Sequence, residues 1–129
     1  MMDGVISFIA GKPNGDLVAN RHRAAAAAMH RYMPHVVAWR CPSAGAPISV
    51  TLPENLSVRD LVHRATWERV ELAPAEDPAA PDRSFEIHYL HLAEADIEEG
   101  IRRLGYCLAH YSELAARLAP GQPGSIVGV

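Results

Sequence analysis

The chain is 129 residues long, 49% hydrophobic and 21% charged, with a formal net charge of -3 at neutral pH. That length fits one domain able to bury most of its apolar surface without disulfide or metal staples, and the composition excludes global disorder. The slightly acidic balance gives no electrostatic footprint for nucleic acid or for an anionic membrane.

The apolar run of residues 5–9 is β-like, and Gly11, Pro13 and Gly15 break it, so residues 1–20 read as an arm ending in a turn. Asp3 stands where an export signal would want basic residues, and no apolar stretch is long enough to span a bilayer. Asn20 is the expected N-cap of a helix over RHRAAAAAMHRYM, because alanine is the best helix former and Pro34 stops the run. Strands are expected over 36–40 and 48–52, with a Pro/Gly loop between them. Ser57 and Asp60 have capping-box spacing, flanked by Leu56 and Leu61 as a hydrophobic staple, and the helix they open is predicted to end near Thr66. A short strand over 69–72 leads into a proline-rich loop.

Residues 85–90 alternate. Phe85, Ile87 and Tyr89 point one way, toward a core, and Glu86, His88 and Leu90 the other. The last helix places Ile97, Ile101, Leu104, Leu108, Tyr111 and Leu118 on one side. The pairs Glu98 with Arg102 and Glu99 with Arg103, four apart, mark the expected exposed surface. Residues 119–129 read as a flexible tail. The fold class that follows is α+β, a small, largely antiparallel sheet with helices mainly on one face.

Chemistry is sparse. Cys41 and Cys107 make no metal or disulfide framework and read as free thiols of a reducing cytoplasm. The histidines have no zinc spacing, and there is no phosphate loop and no nucleophile elbow. Glu86 and His88, two apart on one strand face, are the constellation to single out: an acid/base pair, or ordinary polar residues of a solvent-facing strand.

The stretch FEIHYLHLAEADIEEGIRRL resembles the C-terminal end of class I/II (fold-type I) pyridoxal-phosphate aminotransferases, where a Leu-Arg-Leu-Asn/Ser-Phe strand precedes a helix reading I-E-E-G-I-R-R-L. The arm resembles that of aminoadipate-type members in Ile6, Ser7, Phe8, Gly11, Pro13, Asp16 and Leu17, and CPSAGAPISVTLPENL keeps Pro42, Gly45, Leu52 and Pro53 of a family loop. The departures, Ala44, Pro47, Ser49, Ala75 and Pro78, fall where the family lines its active site. Glu86 aligns with the arginine that clamps the substrate carboxylate.

The resemblance implies a truncated homologue: the arm, then an aminotransferase small-domain-like unit over 21–118, with the large cofactor domain missing. The single lysine, Lys12, sits at a variable position of the arm and reads as a solvated charge. Neither pyridoxal phosphate nor a metal is therefore expected. The expected function is a small-ligand-binding or protein-interaction module, with Gly11, Lys12, Glu86 and His88 as ligand contacts. The alternative is a small cofactor-independent enzyme using Glu86 and His88. Expected partners are a second copy, a pyridoxal enzyme or a small polar ligand. Segments 5–9 and 125–129 are candidates to pair with a neighbour's sheet edge.

Overall fold

A computed structural model describes residues 4–9, 18–75 and 82–118. In chain order these form β1 (Ile6–Ser7), α1 (Val18–Tyr32), β2 (Ala38–Arg40), β3 (Ile48–Thr51), α2 (Val58–Trp67), β4 (Val70–Glu71), β5 (Ser84–Ile87) and α3 (Glu94–Leu118). The tail, the proline-rich loop and the arm positions Gly11 and Lys12 lie outside the described residues.

The α+β class is as expected. β2, β3 and β5 form an antiparallel sheet in that order, in which Arg40, Ser49 and Glu86 share one cross-strand row and Ala38, Thr51 and Ser84 the next. These rows face outward. The intervening residues Ile48, Val50, Phe85 and Ile87 are fully buried, so the period-2 pattern delivers one apolar and one polar face. β1 and β4 make a separate parallel pair. The outer edge of β5 is covered: the Ala75 N–H donates to the Ser84 carbonyl (2.9 Å), and the His88 N–H to the Phe8 carbonyl (2.9 Å).

α3 is the spine on which the other layers rest. Ile97, Ile101, Leu104 and Leu108 are fully buried, and Tyr111 nearly so. A Cβ at Gly105 would collide with the carbonyl oxygen of Tyr32, so the absence of a side chain lets α1 pack against α3 at backbone distance. Leu118 is 71% exposed, because α3 extends past the core that its periodicity suggested.

Other expectations need correction. α1 begins at Val18, and Asn20 lies inside its first turn, accepting from Arg23 (3.1 Å) instead of capping the helix. At α2, Ser57 Oγ accepts from the Asp60 N–H (3.3 Å) as a cap should. The Ser57 N–H is taken by the Tyr111 hydroxyl (3.0 Å), which in turn donates to Asp60 (3.3 Å), so the reciprocal half of the capping box is supplied by α3. Asp82 completes the cap, accepting from Ser57 Oγ (2.7 Å) and the Arg59 N–H (3.0 Å). These bonds hold its carboxyl below the usual range, that from Ser57 foremost.

Of the two expected pairs on α3, Glu99 with Arg103 forms, while among the described residues Arg102 pairs with Glu99 in place of Glu98. Glu99 binds both Arg102 (2.7 Å) and Arg103 (2.8 Å), whereas Glu98 accepts from the Tyr32 hydroxyl (3.1 Å). Arg103 is buried, not exposed, because its guanidinium reaches the carbonyls of Gly4 (3.0 Å) and Arg69 (3.3 Å).

Candidate functional site

The outer face of β5 meets the arm at one corner. Phe8 and Ile6 are buried against Gly100 of α3, where a Cβ would approach the Phe8 ring to 2.6 Å and Ile6 to 2.8 Å. The backbone then fixes the arm on both sides. The Phe8 N–H donates to the Glu71 carbonyl (2.9 Å), and His91 Nε2 donates to the Ser7 carbonyl (2.8 Å). Arg103 holds Gly4, and Glu99 holds Arg103; the hydrogen bond from Arg102 foremost, opposed by desolvation and aided by the bond from Arg103, lowers the Glu99 carboxyl to about 2. His91 lies beyond the end of β5 and ties down the arm.

Beneath this strap, Phe8 and Ile9, the segment 73–75, and Glu86 with His88 enclose a cleft of about 160 Å³. His88 Nε2 stands 3.3 Å from Glu86 Oε1, and the two side chains are 33% and 46% exposed, so the pair is reachable without opening the fold. Such a pair can hold a proton between a carboxylate and an imidazole, or present a carboxylate to a cation. Of the four expected ligand contacts, the structure brings Glu86 and His88 together; Gly11 and Lys12 are outside the described residues.

Glu86 and Ala75 also border a larger hollow of about 390 Å³ on the open sheet face, shared with Arg40, Ser49, Thr51 and Ser84. Sequence reading placed Ser49 and Ala75 in the family's active-site lining but left out Arg40, Thr51 and Ser84. Arg40 and Ser49 become neighbours of Glu86 only through cross-strand register, which no local pattern specifies.

A second polar cluster lies around Tyr89. Its ring belongs to the core at 1% exposure, but its hydroxyl is 3.1 Å from His22 Nδ1, and Cys41 Sγ is 3.5 Å from the same nitrogen. Burial pushes the Tyr89 hydroxyl and the Cys41 thiol up, which keeps the thiol protonated and argues against a nucleophile there. Burial likewise pushes Cys107 up to about 11. Among the described residues no group of three metal-ligating side chains converges, and no helix is long and apolar enough to cross a membrane.

No family model and no curated protein matches the chain. Solved structures do. The chain is 27% identical to the multiple substrate aminotransferase of Thermococcus profundus, covering 74% of this chain and 25% of that one at a TM-score of 0.68. It is 28% identical to LysN, the α-aminoadipate aminotransferase of Thermus thermophilus, covering 76% and 26% at 0.71. It is 27% identical to the kynurenine aminotransferase of Pyrococcus horikoshii, covering 73% and 24% at 0.67. The chain thus spans about a quarter of the length of the aminotransferases it matches.

Pyridoxal phosphate, which this likeness implies, needs an amine to hold its aldehyde and fixed groups around its ring. The described residues include no lysine, and the cleft offers Glu86, a carboxylate. The donor set among the described residues therefore does not fit the cofactor. In sequence and in fold, the chain is similar to solved fold-type I pyridoxal-phosphate aminotransferases: it matches an aminotransferase-like small domain and covers about a quarter of their length.

Proposed function

We propose that this chain is a ligand-binding module built on an aminotransferase-like small domain, working without pyridoxal-phosphate chemistry, with Glu86 and His88 as its principal contacts. The observation that carries the reading is the 3.3 Å Glu86–His88 pair at the mouth of a cleft covered by the arm. Exchange of an arginine for a glutamate reverses the charge offered to a ligand, and a carboxylate repels the carboxylate-bearing end of an amino acid. A screen of small polar metabolites by amide chemical shifts tests it. A binder should move the amides of Ile9, Glu86 and His88, and Glu86→Gln and His88→Ala should each abolish the shifts. Binders whose shifts map elsewhere would sink the reading. So would a stoichiometric visible band with added pyridoxal phosphate that borohydride reduces and Lys12→Ala removes.

A cofactor-independent enzyme is the second reading, favoured by the same contact, since an imidazole and a carboxylate in reach of one another can pass a proton. In that case the two variants lose turnover more than binding. Self-association belongs to the same proposal: Val5 (66% exposed), Trp67 (76%) and Tyr106 (57%) are large apolar side chains left in solvent. Sedimentation should therefore show a dimer or larger species at tens of micromolar, and a monomer there removes this part.

A further inference from the structure

The cleft beside His88 and the hollow on the open sheet face are two parts of one groove, because Glu86 and Ala75 border both. Its charges are arranged across the strands. Arg40 on β2, Ser49 on β3 and Glu86 on β5 occupy one cross-strand row, and the hydroxyls of Thr51 and Ser84 lie in the adjacent row. With neighbouring strands roughly 4.8 Å apart, the backbones carrying the cation and the anion are about 10 Å apart, with only hydroxyl-bearing side chains between them.

Among the described residues Arg40, which is exposed, makes no ion pair, and Glu86 pairs with His88 alone. The guanidinium is thus left with its fork of donors facing the same hollow as a carboxylate it does not touch. At about 30 Å³ per water-sized unit, a hollow of about 390 Å³ has room for roughly a dozen non-hydrogen atoms.

Resting on the reading of Glu86 and His88 as ligand contacts, we propose that the groove takes an elongated dipolar molecule, of the size of a dipeptide or an ω-amino acid. Its ammonium or guanidinium group lies at Glu86 beside His88. Its carboxylate lies at Arg40, in a bidentate pair, and Ser49 and Thr51 offer hydroxyls to the middle of the ligand. A molecule whose two charges sit on adjacent atoms cannot satisfy both ends from a single position. The groove therefore selects on charge separation as well as on charge.

Calorimetric titration with ε-aminocaproate, hexylamine and hexanoate tests this, with a backbone amide spectrum recorded for each. The expected result is that ε-aminocaproate binds at least about tenfold more tightly than either singly charged probe, each charge-assisted contact being worth at least that factor. Arg40→Gln should reduce it to the level of hexylamine, and Glu86→Gln to the level of hexanoate. Both residues are exposed, so unchanged thermal midpoints verify that the variants fold. If hexylamine binds as tightly as ε-aminocaproate and Arg40→Gln is silent, the dipolar inference is overturned while the Glu86–His88 contact stands. If hexanoate binds best and Glu86→Gln is silent, both are overturned. Absence of binding by all three probes overturns the inference as well.

Discussion

The inner and outer faces of the three-stranded sheet are made by the same short strands, alternate residues going to each, yet they answer to different constraints. On the inner face, Val50, Phe85 and Ile87 have no exposed surface and are held by volume. On the outer face, Arg40 and Glu86 are exposed and placed by register, so their chemistry can change at little cost to the fold. The difference teaches where departures from the resembled aminotransferase pattern can gather: position 86, where the resemblance expects an arginine, is exposed and can carry a carboxylate.

The widest separation between the faces should come from Tyr89 and Glu86. Tyr89→Ala removes a buried ring and leaves His22 without one partner, and it should cost about 3–5 kcal/mol by denaturant unfolding. Glu86→Gln should stay within about 0.5 kcal/mol of the parent. Equal losses for the two would show that the outer face carries fold-determining contacts.

The two glycines of α3 sharpen the comparison next. Gly105→Ala drives a methyl group into the Tyr32 carbonyl, which is backbone and cannot move alone, so α1 and α3 must separate at a cost of about 2–3 kcal/mol. Gly100→Ala meets only the side chains of Phe8 and Ile6, and about 1–2 kcal/mol is expected. Its damage should be local, read as faster hydrogen exchange at Phe8 and His88. A reversed order would mean that the arm, and not the α1/α3 contact, is the rigid part.

The smallest effect concerns Glu99. Its folded carboxyl lies at about 2 against an ordinary value of 4.5, so the group favours the folded state once ionised. That contribution is fully present above about pH 4.5 and is lost as pH falls toward 2. Since the pair with Arg102 is partly exposed, Glu99→Gln should cost only about 1 kcal/mol at neutral pH, and the gap between variant and parent should close on acidification. A gap that persists at low pH would assign the loss to packing.

Much of this architecture is legible in the residues themselves. The alternation of Phe85 to His88 and the periodicity from Ile97 to Tyr111 are signals of period 2 and 3.6, and both survive folding because burial is what produces them. Ser57 could be read as a cap because its partner is three residues away. What escaped the sequence depends on contacts between distant segments. Arg103 looks like surface until the carbonyls of Gly4 and Arg69 are brought to it, and the Tyr111 hydroxyl at the start of α2 has no local cue. Arg40 joins the groove only once two registers are set, and Gly11 and Lys12 lie where the structure describes nothing.

The parallel pairing of β1 with β4 bears on the order in which the molecule assembles. A parallel pair cannot close through a hairpin; here its crossover includes α1, β2, β3 and α2. Ile6 can therefore find Val70 only after most of the intervening chain has been brought into place, and the entropy of closing so long a loop must be met before the contact returns anything. The residues that roof the cleft, Phe8 and Ile9, follow this strand directly, so they are expected to settle after the helices and the antiparallel sheet have formed.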